Sequence, residues 1–106
     1  MRVTVTHNQT KQEVIRRIDQ GLDDIFKGAT GGMVQITEEQ RSWVGDQLNF
    51  SFNARAAFMT IPVKGLVIVE DHLVTIDIDL PSFVSNLFPE QKMATGIESR
   101  VRGLLT

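Results

Sequence analysis

The segment Ala57–Leu80, AFMTIPVKGLVIVEDHLVTIDIDL, decides the fold. Apolar residues alternate along both of its halves, which is the pattern of β-strands with one buried face. A two-residue turn at Asp71-His72 would pair Val69 with Val74 and place both apolar sets on one face of an antiparallel hairpin. Those sets are Ala57, Met59, Ile61, Val63, Val67 and Val69 in the first half, and Val74, Ile76, Ile78 and Leu80 in the second.

Two amphipathic helices are expected outside this hairpin. The first begins near Thr10, which has capping-box spacing with Glu13, and ends at Gly28 as a left-handed cap. The second follows Pro89, after a short helical turn over residues 83–88 that Ser82 can cap. Its apolar stripe consists of Met93, Ile97, Val101, Leu104 and Leu105, and Gly96 is expected to allow a close approach to the sheet.

The remaining strands are predicted at residues 2–7, 33–44 and 47–52. The polar segment 33–44 fits one bulged edge strand or two short strands around Glu38-Glu39. Residues 53–56 are expected to turn the chain into the long strand, and Pro62 and Gly65 to bend or bulge it. The order β-α-β-β-β-β-α predicts a single α+β domain over residues 1–106. We expect two layers, with a curved antiparallel sheet of about five strands and both helices on one face.

Composition excludes several function classes. The net charge of −2 argues against a nucleic-acid-binding module, which normally carries a basic surface. The absence of cysteine excludes disulfides and thiolate chemistry. No stretch approaches the ~20 apolar residues of a transmembrane helix, and the first residues lack the apolar run of a signal peptide. These features predict a cytoplasmic protein.

Catalytic and metal-binding patterns are not expected. His7 either hydrogen-bonds the strand-to-helix turn or acts in acid–base chemistry, and the first role is favoured. His72 is predicted to be exposed in the hairpin turn. Asp77 and Asp79 share a strand face but have no third ligand nearby, so the sequence predicts no metal, cofactor or catalytic site.

Apolar residues outside the expected core indicate two binding surfaces. Leu66, Ile68 and Leu73 fall on the open face of the sheet, where Phe58 would extend them into an interface for a homodimer or another protein. The candidates for contact with a ligand or an apolar surface are Trp43, Met59, Phe83, Leu87 and Phe88. Trp43 either stacks on a ligand or packs against the sheet edge. The three residues from Phe83 to Phe88 either close the open end of the core or form an exposed hydrophobic lip.

Several of these features together resemble the polyhydroxyalkanoic acid system proteins, also called polyhydroxyalkanoate granule region proteins. The matching residues are His7 before the first helix and the run Trp43-x-Gly45-Asp46-x-Leu48-x-Phe50. They continue with Gly65-x-Val67-x-Val69, Val74-x-Ile76-x-Ile78-x-Leu80-Pro81, and the closing helix with Ile97 and Val101. Segments 28–41 and 53–64 are longer than in the family pattern.

The resemblance implies a small bacterial accessory protein of carbon storage that binds the polyhydroxyalkanoate granule surface or a granule-associated protein. It supplies no catalytic residues. The layout is also similar to a reduced helix-grip fold, in which a C-terminal helix and a curved sheet enclose an apolar ligand. That likeness implies the alternative function, a carrier or enzyme for a small apolar ligand.

Overall fold

The computed structural model describes residues 1–30 and 32–106, which form five strands and three helices. The elements are β1 (Arg2–Thr6), α1 (Lys11–Thr30), β2 (Gln35–Val44), β3 (Gln47–Ala56), β4 (Met59–Val69), β5 (Leu73–Asp79), α2 (Val84–Leu87) and α3 (Glu90–Leu105). The strands form one antiparallel sheet in the order β1-β5-β4-β3-β2. The helices cover one face of the sheet, which confirms the predicted two-layer α+β fold.

The β4–β5 hairpin has the register that the apolar pattern predicts. Val69 pairs with Val74 and Val67 pairs with Ile76. The N–H of Glu70 donates to the carbonyl oxygen of Leu73 at 2.8 Å and closes the two-residue turn. A shift of one residue would move the buried side chains of Val74, Ile76 and Ile78 to the open face, so the buried face fixes this register.

The core lies between the covered face of the sheet and the stripes of α1 and α3. Ile76 is 1% exposed at the centre of the sheet, and Ile18 and Ile97 are fully buried on the helices. Phe26 of α1 packs on Phe50 and Phe52 of β3, with ring centroids 5.0 and 4.5 Å apart. Alternate residues of the strands and residues at helical spacing on α1 and α3 therefore pack together in one apolar layer.

Helix α1 is longer than predicted, because Gly28 is inside it rather than at its cap. A Cβ on Gly28 would lie 2.4 Å from Cγ of Arg100 and 2.9 Å from the carbonyl oxygen of Gly96. Gly28 therefore allows α1 to approach the backbone of α3 at Gly96. Thr10 begins α1 as expected, since its Oγ1 accepts the N–H of Glu13 at 3.2 Å.

Strand β3 also continues beyond its predicted end. Residues 53–56 pair with β4 as far as Ala56 opposite Met59, and the turn consists of Ala57 and Phe58. Ala57 has a φ of 54°, in the left-handed region. Residues of low strand propensity stay in β3 because both neighbouring strands pair with this segment.

Strand β2 is one bulged edge strand, with the register shift between Thr37 and Gln40. The bulge expected in β4 is not found, because the described β3–β4 pairing runs unbroken past Pro62 and Gly65. Pro62 lies beyond the last β4–β5 pair, where its missing N–H is tolerated as on an edge strand.

The short helix α2 has no side-chain cap, so the predicted role of Ser82 is wrong. The carbonyl oxygen of Ser82 instead accepts the hydroxyl of Ser85 at 3.0 Å. Pro89 immediately precedes α3, and its carbonyl oxygen accepts the N–H of Met93 at 3.1 Å. Among the described residues, no helix is both long and apolar enough to cross a membrane.

Candidate functional site

One end of the molecule collects exposed apolar side chains. The pairs Gln35–Arg55 and Ala56–Met59 bring the start of β2 and the β3–β4 turn to this end. Strand β5 runs toward this end, and Val84 of the following helix α2 lines the same cavity as Val34 and Ile61. Large apolar residues that are exposed here are Met33 (79%), Phe58 (fully), Met59 (37%), Phe83 (43%) and Leu87 (48%). We call these five residues the apolar end.

Val44 is the sixth exposed large apolar residue of the described chain, and it lies at the opposite end, beside the β2–β3 turn. The surface around that turn is charged. Lys11 Nζ lies 3.0 Å from a carboxylate oxygen of Asp46 and 3.8 Å from one of Asp71. The hydrogen bond that Lys11 donates to Asp46 raises the pKa of Lys11. The two ends therefore differ in chemistry, and the apolar residues are not scattered evenly.

Helix α2 exposes Phe83 and Leu87 by its periodicity. Residues four apart share a helix face, so Val84 and Phe88 point together in one direction and Phe83 and Leu87 in another. Val84 is buried and Phe88 is half-buried, and the Phe88 N–H donates to the Val84 carbonyl oxygen at 2.9 Å. The two alternatives therefore divide among the three predicted residues: Phe88 packs toward the core with Val84, whereas Phe83 and Leu87 are exposed and form the lip.

An apolar cavity of about 60 Å³ lies beneath this lip, between the sheet and helices α1 and α3. Its lining includes Phe26, Thr30, Val34, Ala54, Ile61, Leu80, Val84, Phe88, Met93 and Ile97. Of the ligand contacts predicted from sequence, Phe88 lines the cavity, whereas Trp43, Met59, Phe83 and Leu87 lie outside it. The volume is well below the ~300 Å³ of a typical small-molecule pocket.

Trp43 clamps the edge strand β2 to helix α1. Its Nε1–H donates to Oδ1 of Asp19 at 3.0 Å, and Nη1 of Arg41 lies 3.1 Å from the same oxygen. The hydrogen bond from Trp43 lowers the pKa of Asp19, and Arg41 lowers it further. Of the two roles predicted for Trp43, the structure shows packing at the sheet edge.

His7 is buried, and both of its ring nitrogens are engaged by backbone groups. Nδ1 accepts the N–H of Gln9 at 3.1 Å, so the ring hydrogen lies on Nε2, which donates to the carbonyl oxygen of Glu70 at 2.8 Å. His7 thus hydrogen-bonds the strand-to-helix turn at Gln9, as the favoured prediction stated, and it also joins the end of β1 to the β4–β5 turn. His72 is exposed in that turn.

The paired carboxylates of β5 have separate environments. Asp77 accepts a hydrogen bond from Arg2 at 2.9 Å, and Asp79 is exposed at the strand end. Within residues 1–30 and 32–106, no group of three or more His, Asp or Glu side chains could hold a metal ion.

The open face of the sheet carries Leu66, Ile68 and Leu73, all half-buried. Polar neighbours flank them, since Ile68 pairs with Gln47 and Thr75 on the adjacent strands. Phe58 does not extend this patch, because it lies in the β3–β4 turn, eight residues or about 26 Å along the strand from Leu66.

Sequence reasoning missed two parts of the apolar end. The alternation of apolar residues continues past the true ends of β2 and β4, so it predicts Met33 in a strand and Phe58 on the open sheet face. A local signal for the turn exists, because Ala57 and Phe58 separate two segments, 47–56 and 59–68, that pair residue for residue. The role of Thr30 in the cavity lining had no sequence signal.

No protein-family model matches the chain, and no curated protein matches it. Among solved structures, it is similar to TTHA0849 from Thermus thermophilus, at 13% identity and a TM-score of 0.41, over 98% of this chain and 92% of that one. It is also similar to part of the quaternary ammonium Rieske monooxygenase CntA, at 12% identity and a TM-score of 0.43. That match covers 100% of this chain and 40% of CntA.

Proposed function

We propose that the chain is a non-enzymatic accessory protein of bacterial polyhydroxyalkanoate storage, which attaches to the granule surface through its apolar end. The observation that carries the proposal is the grouping of five of the six exposed large apolar residues at one end of the described chain. The link to storage comes from the resemblance carried by His7, the Trp43–Phe50 run and the β4–β5 hairpin.

The lip alone gives weak attachment. Phe83 and Leu87 are 43% and 48% exposed, so about half of each side chain is left to bury. Burying a whole Phe or Leu side chain is worth ~1.5–3 kcal/mol, so the lip supplies about 2–3 kcal/mol before ordering costs. An attachment of this strength would be transient.

Phe58 in the β3–β4 turn and Met33 before β2 supply the larger part of the available energy. Phe58 is fully exposed and Met33 is 79% exposed, so their burial adds about 3–5 kcal/mol. The apolar end as a whole then offers about 5–8 kcal/mol before ordering costs, which supports weak, reversible attachment.

A continuous apolar surface suits this arrangement better than a groove on another protein. The five side chains stand on separate elements, the segment before β2, the β3–β4 turn and helix α2. A polyester surface can receive all of them without matching their spacing, whereas a protein groove would have to be complementary to each element.

Co-sedimentation with polyester particles tests the proposal. The proteins compared are the wild type, Phe83→Ser/Leu87→Ser, and the control Val44→Ser, which removes an apolar residue of greater exposure, 69%, from the opposite end. Circular dichroism first establishes that all three are folded. We expect the wild type and the control to sediment with bare particles, and the double variant to remain largely in the supernatant.

Two results would contradict the proposal. Equal sedimentation of all three proteins would exclude the lip from the contact. Binding to granules isolated with their protein coat, but not to bare polyester, would make the partner a coat protein. The pathway link has its own test: a source genome without a polyester synthase or granule-coat gene would remove it.

A further inference from the structure

One residue that lines the cavity beneath the lip, Thr30, carries a buried hydroxyl without a hydrogen-bond partner among the described residues. A buried polar group that loses its hydrogen bonds to water destabilises a fold, so such groups in native proteins usually have a role or an unseen partner.

Water is a poor partner for Thr30 in this cavity. A buried water molecule typically makes two to four hydrogen bonds. Among the described residues lining the cavity, Thr30 is the one with a polar side chain, and the others include Phe26, Ile61 and Met93. A water molecule here would therefore leave most of its own hydrogen bonds unmade.

We propose that the cavity binds a small aliphatic carbonyl compound, a ketone or ester group, whose oxygen accepts a hydrogen bond from Thr30. The apolar lining contacts the aliphatic part, and the hydroxyl contacts the oxygen. This inference rests on the cavity and does not depend on attachment to a granule.

The chemistry favours a carbonyl over an alcohol. One donor satisfies a carbonyl oxygen, whereas an alcohol facing Thr30 would bring a second hydroxyl hydrogen for which the lining offers no side-chain acceptor. Size sets the rest of the ligand. A cavity of ~150 Å³ holds the six carbon atoms of benzene, so a cavity of about 60 Å³ encloses about two to three non-hydrogen atoms, such as the carbonyl group of the ligand and one attached methyl group.

The structure shows that the cavity lies near the surface and how Thr30 is held in position beside it. Val34, Leu80 and Phe88 line the cavity and are half-buried, so it lies close to the surface. Thr30 is the last residue of α1, and its carbonyl oxygen accepts the N–H of Met33 at 3.3 Å. That bond helps to hold the end of the helix, and with it the hydroxyl, against the cavity.

Titration of methyl-labelled protein with acetone and with isobutene tests the proposal by NMR. Isobutene has the shape of acetone but carries CH₂ in place of the carbonyl oxygen. We expect both probes to shift the methyl signals of Ile61, Val84 and Ile97 saturably. Thr30→Val, which keeps the side-chain shape, should weaken acetone binding about fivefold and leave isobutene binding within about twofold. The control Thr95→Val, at an exposed position of α3, should change neither.

The melting temperature gives a second measurement on the same variants. Replacing an unsatisfied buried hydroxyl by a methyl group should raise the melting temperature of Thr30→Val by about 5 °C, whereas Thr95→Val should stay within about 1 °C of the wild type. Absence of saturable shifts with acetone would overturn the proposal. Equal acetone affinity of the wild type and Thr30→Val, or a lower melting temperature of Thr30→Val, would also overturn it.

Discussion

Substituting Gly65 by alanine tests how closely β4 and β5 approach at the centre of the sheet. Gly65 pairs with Phe50 on one side and Ile78 on the other. A Cβ at this position would lie 2.2 Å from the carbonyl oxygen of Asp77 and 2.8 Å from Cζ of Phe50. The first contact is with backbone, so the strands themselves would have to move.

The expected loss of stability follows from two opposing effects. Alanine reduces the entropy of the unfolded chain and gains ~0.5–1 kcal/mol over glycine. Overpacking a core costs ~1–3 kcal/mol, and the upper end applies here because a backbone oxygen is involved. Steric overlap therefore dominates, and Gly65→Ala should lower the free energy of unfolding by about 2 kcal/mol.

The same substitution at Gly103 is the matched control. A Cβ there meets nothing within 4 Å, and the residue is exposed on helix α3. Gly103→Ala should therefore raise stability by up to about 1 kcal/mol through helix propensity. Urea unfolding followed by circular dichroism measures both variants. A Gly65→Ala protein as stable as the wild type would refute the close approach of β4 and β5.

Three further predictions test the core, the edge strand and the open face. Ile76→Asp should unfold the protein, because an unpaired buried carboxylate costs several kcal/mol, whereas Thr4→Asp on the exposed face of β1 should fold. The pKa of Asp19 is below its ordinary value of 3.8, so the stability it contributes should be present above that value and be lost as the pH falls below it. Trp43 fluorescence should report this titration, and Asp19→Asn should abolish the change. If the open face forms a homodimer, light scattering should show a dimer that Ile68→Lys converts to a monomer; a wild-type monomer excludes that contact.

The hairpin at the centre of the fold was predictable because the alternation of apolar residues in its two strands determines how the strands pair. A turn at Asp71-His72 places the alternating apolar sets of β4 and β5 on one face, and a register shifted by one residue would separate them. The helix stripes were predictable for the same reason. In both helices the residues that the local periodicity places on one side are the ones that are buried, so tertiary contacts did not change the predicted structure.

The ends of elements were less predictable, because contacts distant in sequence determine them. Glycine is typical of helix C-caps, but Gly28 is helical, at a position where α1 packs closely against Gly96 and Arg100. Residues 53–56 have weak strand propensity, yet pairing on both sides keeps them in β3. In each case the prediction followed the local preference of the residues, whereas a contact with residues distant in the sequence determines the structure.

The candidate site was only partly predictable. The exposure of Phe83 and Leu87 followed from the spacing of the short helix α2. The position of Phe58 depended on where the β3–β4 turn falls, and the cavity depended on how strands, α1 and α3 meet. The unpaired hydroxyl of Thr30 could not be inferred, since it reflects an absence of partners in three dimensions.

The affinity of the Phe58→Ser variant for bare polyester particles tests the central claim most directly. Phe58 is fully exposed, so its replacement should leave the fold intact while removing about 2 kcal/mol of apolar burial from the contact. We predict that the dissociation constant rises about thirtyfold relative to the wild type, and that Val44→Ser leaves it unchanged. Equal affinity of Phe58→Ser and the wild type would contradict attachment through the apolar end.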